Sequence, residues 1–170
     1  MIIDERLDKL AILIISYANR FVIQVSAEKK RSHDDIVVAL TRSHLLILKM
    51  LRRCATDADL TLQQFAVLRY LSQKGQLPMG ALGIELGVTP PVITGIVDRL
   101  ETRKMVERTE ASDDRRRTDI LLTELGKSAY RTVRESYRYS LCRFLDRSLS
   151  SLEQERFAEF LTKLAAEIPE

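Results

Sequence analysis

Apolar residues recur at steps of three and four over both ends of the chain, as they do on one face of an α-helix. We expect a long helix within residues 1–31, a second over 36–56 with His44 on its apolar stripe, and two more within 124–168. The first segment also has apolar residues outside its stripe, which indicates burial against a second subunit. Binding to a membrane surface is the weaker interpretation, because the polar positions mix both charges. The terminal helices are therefore assigned to dimerisation.

Shorter elements separated by turn signals fill the middle of the chain. Thr61 and Gln64 have the spacing of a capping box, and Gly75 ends the helix that they open. A further helix of about three turns is expected between Pro78, in its first turn, and Gly87, at its end. This region is thus built from short helices.

Another short helix follows directly. Thr89 is expected to cap it, and Pro90 and Pro91 suit its first turn, whose backbone donors have no intrahelical acceptor. Two short helices joined by a glycine-containing turn predict a helix-turn-helix over residues 78–103, with the second helix as the recognition helix. The inward face of that helix is apolar and consists of Ile93, Ile96, Val97 and Leu100. The outward face is small and polar and consists of Pro91, Thr94, Gly95, Asp98 and Arg99.

The pattern over residues 105–123 is that of two strands around a polar segment. One strand is expected over 105–110 and the other around Ile120 and Leu122, so that the pair forms a hairpin, or wing. The polar segment carries Asp113, Asp114, Arg115, Arg116 and Arg117. Arginine at a hairpin tip suits the narrow minor groove of duplex DNA, whose negative potential attracts it. The alternative interpretation of these arginines is a solubilising loop, which is less favoured because a helix-turn-helix directly precedes them.

Composition narrows the class of protein. With 170 residues and 45% apolar content, the chain is long enough for one well-buried core. Its 27 basic and 24 acidic residues give a net charge of only +3, so the position of the charges matters more than their total. The longest apolar run, residues 10–15, is too short to cross a bilayer, and acids stand where a secretory signal would carry basic residues. We expect a cytoplasmic protein that does not bind a membrane.

Few residues are candidates for redox, metal or catalytic chemistry. Cys54 and Cys142 are far apart in the sequence and are expected to be buried and unreactive, with a redox switch as the alternative. His33 and His44 lack the spacing of a closed zinc site. The chain has no serine-nucleophile elbow, phosphate-binding glycine loop or zinc-protease motif. We therefore expect no enzyme, no metal and no cofactor.

The run from residue 60 to residue 132 resembles the MarR family of bacterial and archaeal transcription regulators. Three stretches carry the resemblance: LTLQQFAVL at 60–68, VITGIVDRLE at 92–101, and DRRR followed by LTELG within 114–126. The resemblance implies a mainly α-helical fold with a small β-hairpin wing, in which a winged helix-turn-helix over 60–123 is flanked by long dimerisation helices. It implies a homodimeric repressor that binds double-stranded DNA at a palindromic operator.

The same resemblance implies roles for single residues. The DNA contacts that it assigns to the recognition helix are Thr89, Pro90, Pro91, Thr94 and Gly95, with Arg99 as a phosphate or wing contact. The wing contacts that it assigns are Asp114, which orients Arg116 into the minor groove, and Arg115 and Arg117, which contact phosphates. Members of the family commonly hold a small anionic or phenolic effector between the dimer helices and the winged helix. His44 is the candidate for lining that pocket, and a satisfied core or interface histidine is the alternative.

Two positions depart from the family pattern. Lys104 stands where relatives usually have a glycine that ends the recognition helix, at a position that often needs a positive φ. Gly95 stands where many relatives carry a longer polar side chain, so we expect fewer contacts to bases. The alternative function is a winged helix whose arginines dock an acidic protein partner, without any operator.

Overall fold

The structure, a computed structural model, describes residues 32–110 and 118–167. In these ranges the elements are α1 (His33–Asp57), α2 (Leu62–Lys74), β1 (Leu77–Pro78), α3 (Met79–Glu85), α4 (Pro90–Thr102), β2 (Val106–Glu110), β3 (Thr118–Leu122), α5 (Glu124–Ser148) and α6 (Ser151–Ala166). The helix expected within residues 1–31 lies outside the described residues. The described part of the chain is thus mainly α-helical with one small sheet, as the sequence predicts.

The chain divides into two compact units. Residues 51–139 form one of them, and the described parts of 1–50 and 140–170 belong to the other. The first unit holds the short helices and the sheet around a dense core. Its largest side chains with almost no solvent exposure are Leu68, Leu82, Ile93, Leu100 and Ile120. No single helix within the described ranges has the length and hydropathy of a membrane span.

The cap signals in the sequence set several helix ends as expected. Thr61 and Gln64 exchange reciprocal hydrogen bonds, with donor–acceptor distances of 2.9 and 3.1 Å, at the start of α2. Ser150 and Glu153, which have the same spacing in the sequence as Thr61 and Gln64, form the same kind of box at the start of α6. Gly75 ends α2 with a φ of 79°, a conformation that glycine adopts without steric cost. These ends are therefore fixed locally by short-range hydrogen bonds.

The sheet has three antiparallel strands in the order β1-β3-β2, whereas the sequence predicts only a two-stranded hairpin. The additional strand is β1, in which Leu77 pairs with Ile120 and Pro78 with Asp119. The expectation that Pro78 lies in a helical first turn is therefore wrong, since its backbone is extended and it precedes α3. Proline tolerates an edge strand because it lacks only the amide donor. The strand takes Pro78 from the expected helix, and the helix also ends before its C-cap Leu86, so α3 has seven residues instead of about three turns.

Asp119 lies on the face of β3 opposite to Ile120, where strand alternation alone would leave it at the surface. Its exposed fraction is only 7%. Gln76, which directly precedes β1, donates a hydrogen bond from Nε2 to its carboxylate at 3.0 Å. The neighbouring edge strand thus brings a polar partner over this carboxylate, as burial of a charged group requires.

Gly126, in the first turn of α5, packs against the chain that leaves α4. A Cβ atom at this position would lie 2.0 Å from the carbonyl oxygen of Met105 and 2.9 Å from a methyl carbon of Leu122. The hydroxyl of Thr123 accepts a hydrogen bond from the Gly126 amide at 3.1 Å and donates one to the carbonyl of Lys104 at 2.7 Å. Thr123 therefore caps α5 and also ties the helix to the end of α4.

Only one of the two cysteines fits the expectation of burial. Cys54 is buried on α1, but Cys142 is exposed on α5. The prediction that Cys142 is buried is wrong, because the buried residues of α5 are Gly126 and Val133, which lie nearer the start of the helix.

Candidate nucleic-acid interface

The helix-turn-helix consists of α3, a turn and α4. The chain direction changes by 111° between the two helices, within the range of such motifs. Gly87 closes the turn with a φ of 61°. Gly83 lies against α4, since a Cβ there would lie 3.4 Å from the Cγ2 atom of Ile93. The absence of side chains at these two glycines allows the turn and the close approach of the helices.

The predicted faces of α4 are confirmed. Its four inward residues, Ile93, Ile96, Val97 and Leu100, are all buried. The residues predicted to face outward are exposed, except for the half-buried Gly95. Pro90 and Pro91 occupy the first turn of the helix, as predicted. Thr89 occupies the cap position in an extended conformation, but within the described residues its side chain makes no capping hydrogen bond. The helix thus presents its small N-terminal residues to solvent.

Thr94 stands in the middle of this exposed surface. Its hydroxyl donates a hydrogen bond to the carbonyl oxygen of Pro90, one turn earlier, at 2.9 Å. The hydroxyl proton is therefore already used within the helix, while the oxygen can still accept a hydrogen bond.

An ion-pair cluster joins the recognition helix to the wing. This cluster was not predicted from the sequence. Arg108 on β2 contacts the carboxylate of Asp98 at 2.5 Å and also pairs with Glu101, one turn further along α4. The Arg108 side chain is only 30% exposed. The sequence signal for this cluster is a pair of acids at i and i+3 on the outward side of α4, followed by an arginine on the next strand. Arg108 offsets one of the two negative charges that Asp98 and Glu101 place on the outward side of α4.

The C-terminal end of α4 is anchored from a different direction. Arg103 contacts the Asp59 carboxylate at 3.1 Å and also donates to the carbonyl oxygen of Asp59. Lys104, immediately after, has a φ of 56°. The positive φ expected at this position is thus confirmed although no glycine is present, at a cost of about 1 kcal/mol.

The wing strands pair in a regular antiparallel register from Val106 opposite Leu122 to Glu110 opposite Thr118. The segment between them, residues 111–117, lies outside the described residues. The predicted contacts of Asp114, Arg115, Arg116 and Arg117 therefore stay predictions. Arg99 is exposed on α4. The ion pairs between α4 and β2 are made by Asp98 and Glu101 with Arg108.

An open apolar concavity of about 530 Å³ lies between α3 and the start of α4. Residues that line it include Gly80, Ile84, Thr89, Pro90 and Thr94. Ile84 is 82% exposed, which is unusual for a large aliphatic side chain. The concavity places apolar surface beside the exposed N-terminal part of the recognition helix.

His44 lies on α1, in the other unit. Its Nε2 atom is shielded from solvent and has no hydrogen-bond partner in residues 32–110 and 118–167. Burial lowers the pKa of His44 below its ordinary value of 6.5, so the neutral ring dominates at pH 7. A ligand could hydrogen-bond to this nitrogen once the atoms that shield it move aside. No cluster of three or more metal-ligating side chains occurs in the described part of the chain.

Comparison with known proteins assigns the family. The model of the MarR family matches residues 60–118. FarR, a helix-turn-helix transcriptional regulator of Neisseria gonorrhoeae, is 30% identical over 103 residues, which are 61% of this chain and 70% of FarR. This chain belongs to the MarR family. It is a DNA-binding transcription regulator, and the MarR family consists of regulators rather than enzymes.

Solved structures agree with the MarR assignment. YusO from Bacillus subtilis is 27% identical with a TM-score of 0.69, and the match covers 81% of this chain and 100% of YusO. NadR, whose structure contains 4-hydroxyphenylacetate, is 25% identical with a TM-score of 0.59, and the match covers 85% of this chain and 100% of NadR. The winged-helix architecture predicted from the sequence is thereby confirmed.

Proposed function

We propose that this MarR-family chain is a homodimeric repressor that binds a palindromic DNA operator through α4 and the wing, and leaves it when a small anionic or phenolic molecule binds. The observation that carries the proposal is the outward face of α4, on which Thr94 and the two prolines are exposed while Asp98 and Glu101 both pair with Arg108. The small side chains of such a surface can approach the major groove, and Arg108 reduces the repulsion between the two acids and the phosphates.

The residues proposed to contact bases or nearby phosphates are Thr89, Pro90, Pro91, Thr94, Gly95 and Arg99. The wing adds Arg116 in the minor groove, held by Asp114, with Arg115 and Arg117 on phosphates. Neutralising phosphates releases counterions, so the affinity should fall steeply as salt rises. Most of the affinity would come from the arginines, and the sequence preference from α4.

The dimer is supported by exposed apolar side chains on α1 and α6. Val37 and Leu46 on α1 are 60% and 62% exposed, and Leu152 and Phe160 on α6 are 58% and 59% exposed. A set of large apolar side chains left in water indicates an interface with another chain. A twofold dimer presents two recognition helices to half-sites about one helical turn apart. Residues 1–31 are proposed to enlarge this interface, so their deletion should weaken dimerisation in analytical ultracentrifugation.

The effector proposal rests on His44 and on the compound bound by NadR. A carboxylate or phenol, the two polar groups of 4-hydroxyphenylacetate, could hydrogen-bond to the unused nitrogen of the neutral His44 ring. A preference of about 1.4 kcal/mol for the released conformation lowers operator affinity tenfold. We expect 4-hydroxyphenylacetate or a related hydroxybenzoate to have this effect, and His44→Ala to reduce the ratio of affinities without and with the compound. The absence of any effect across such compounds would contradict the effector proposal.

Selection of duplexes from a random pool tests the DNA proposal. We expect enrichment of one inverted repeat, with Thr94→Ala and Arg116→Ala each lowering affinity for it by about tenfold. Arg131→Ala, which removes one exposed arginine from α5, is the control of matched charge. Enrichment of no duplex would instead favour a winged helix that binds an acidic protein.

A further inference from the structure

The exposed N-terminal half of α4 lacks the side chains that most often read bases by paired hydrogen bonds. From residue 90 to residue 95 it carries two prolines, two aliphatic residues, a threonine and a glycine. Arginine, lysine, asparagine and glutamine, the usual bidentate partners of guanine and adenine, are missing from this stretch. Beyond this stretch the helix carries Asp98 and Glu101, which are engaged by Arg108, and the exposed Arg99, which is expected to contact a phosphate or the wing.

The hydrogen-bonding capacity of Thr94 is also reduced. Because its hydroxyl donates to Pro90, a hydrogen bond from Thr94 to an acceptor atom of a base would have to replace this contact. Its methyl group remains the part of the side chain that can contact a base by packing. In the major groove one group on the base edges is apolar, the C5 methyl of thymine.

Apolar surface continues beside Thr94 on α3, where Ile84 is 82% exposed. Ile84, Pro90 and Thr94 line the same open concavity. A methyl group that entered this region would leave water and meet carbon atoms, which is favourable.

We propose that the N-terminal half of α4 selects its operator by packing Thr94 and the adjacent apolar residues against the C5 methyl groups of thymines in the major groove. The proposal rests on the proposed function, since it requires that α4 binds duplex DNA. It specifies the readout that the function leaves open: methyl contact instead of bidentate hydrogen bonds.

Removing single methyl groups from the DNA tests this directly. The probe is the tightest duplex from the random-pool selection, with thymine replaced by deoxyuracil, which keeps every hydrogen-bonding group. At the one or two half-site positions that face Thr94, we expect each replacement to lower affinity about fourfold, as the loss of one buried methyl implies. Replacement outside the half-sites, in the same duplex, is the control and should leave affinity unchanged.

Two substitutions of Thr94 distinguish methyl contact from hydrogen bonding. Thr94→Val keeps a methyl branch and removes the hydroxyl, whereas Thr94→Ser keeps the hydroxyl and removes the methyl. The readout is the ratio of affinities for the thymine and deoxyuracil duplexes. We expect the valine variant to retain the fourfold ratio and the serine variant to reduce it to about one. Thermal denaturation checks that both variants fold. We expect both to fold because Thr94 is exposed.

The outcomes separate the two proposals. A selected duplex that binds equally well with deoxyuracil at every half-site thymine, or that contains no half-site thymine, overturns the methyl readout and leaves the operator function intact. A ratio retained by Thr94→Ser and lost by Thr94→Val also overturns it. If no duplex is enriched, the proposed function fails, and the methyl readout fails with it.

Discussion

Arg108 holds two carboxylates of the recognition helix against the first strand of the wing. In Arg108→Ala the charges of Asp98 and Glu101 lose their cation and face the DNA phosphates, so we expect at least about a tenfold loss of affinity for the selected duplex. The protein itself should lose only about 0–1 kcal/mol of stability, as is usual for exposed ion pairs. Fluorescence anisotropy and thermal denaturation measure the two effects.

The control and the rescue for this prediction lie in the same chain. Lys127→Ala removes the ion pair with Glu124 on α5 and should leave DNA affinity unchanged. Adding Asp98→Asn and Glu101→Gln to Arg108→Ala removes the repelling charges and should recover part of the affinity. Equal DNA affinity of the Arg108 variant and the wild type would contradict this role.

Two glycines in helices are expected to respond in opposite ways to alanine. Gly126→Ala places a Cβ 2.0 Å from the Met105 carbonyl oxygen, so it should lower the free energy of unfolding by about 2–4 kcal/mol. Gly80→Ala meets nothing within 4 Å and should raise stability by up to about 1 kcal/mol through helix propensity. Chemical denaturation measures both. A neutral Gly126→Ala would mean that α5 does not pack closely against the end of α4.

Among single residues, local signals are predicted well from sequence and tertiary contacts are not. The positive φ at Lys104 was expected because members of the family usually have a glycine at this position, where the chain leaves the recognition helix. The Arg108 cluster was missed because the arginine lies on β2 and the two acids lie on α4, so that only the folded structure brings them together. The burial of Asp119 was missed for the same reason, since its covering residue, Gln76, is distant in sequence.

Helices α1 and α6 carry the apolar surface on which the dimer proposal depends. We expect Phe160→Ser to raise the dissociation constant of the dimer by about tenfold or more, because a half-exposed aromatic ring at an interface contributes strongly. Sedimentation at several concentrations measures this. Ile84→Ser, which removes an even more exposed aliphatic side chain from α3, is the control and should leave the dissociation constant unchanged. Equal weakening by both variants would argue against α6 as the interface.

At the level of elements, the sequence predicts helices with strong caps and regular periodicity. It failed at β1, because a two-residue strand containing proline has no periodicity and forms only through pairing with β3. The later start of α3, after Pro78, follows from the same error. The faces of α4 were predicted because its apolar residues recur at helical spacing over the whole element.

For the whole molecule, the central claim is that two copies of this chain present their α4 helices to one duplex. Hydroxyl-radical footprinting on the selected duplex tests it most directly. We expect two symmetric protected tracts whose centres lie about 10–10.5 base pairs, or a multiple of that spacing, apart. A single protected tract, or uniform protection along the duplex, would contradict it.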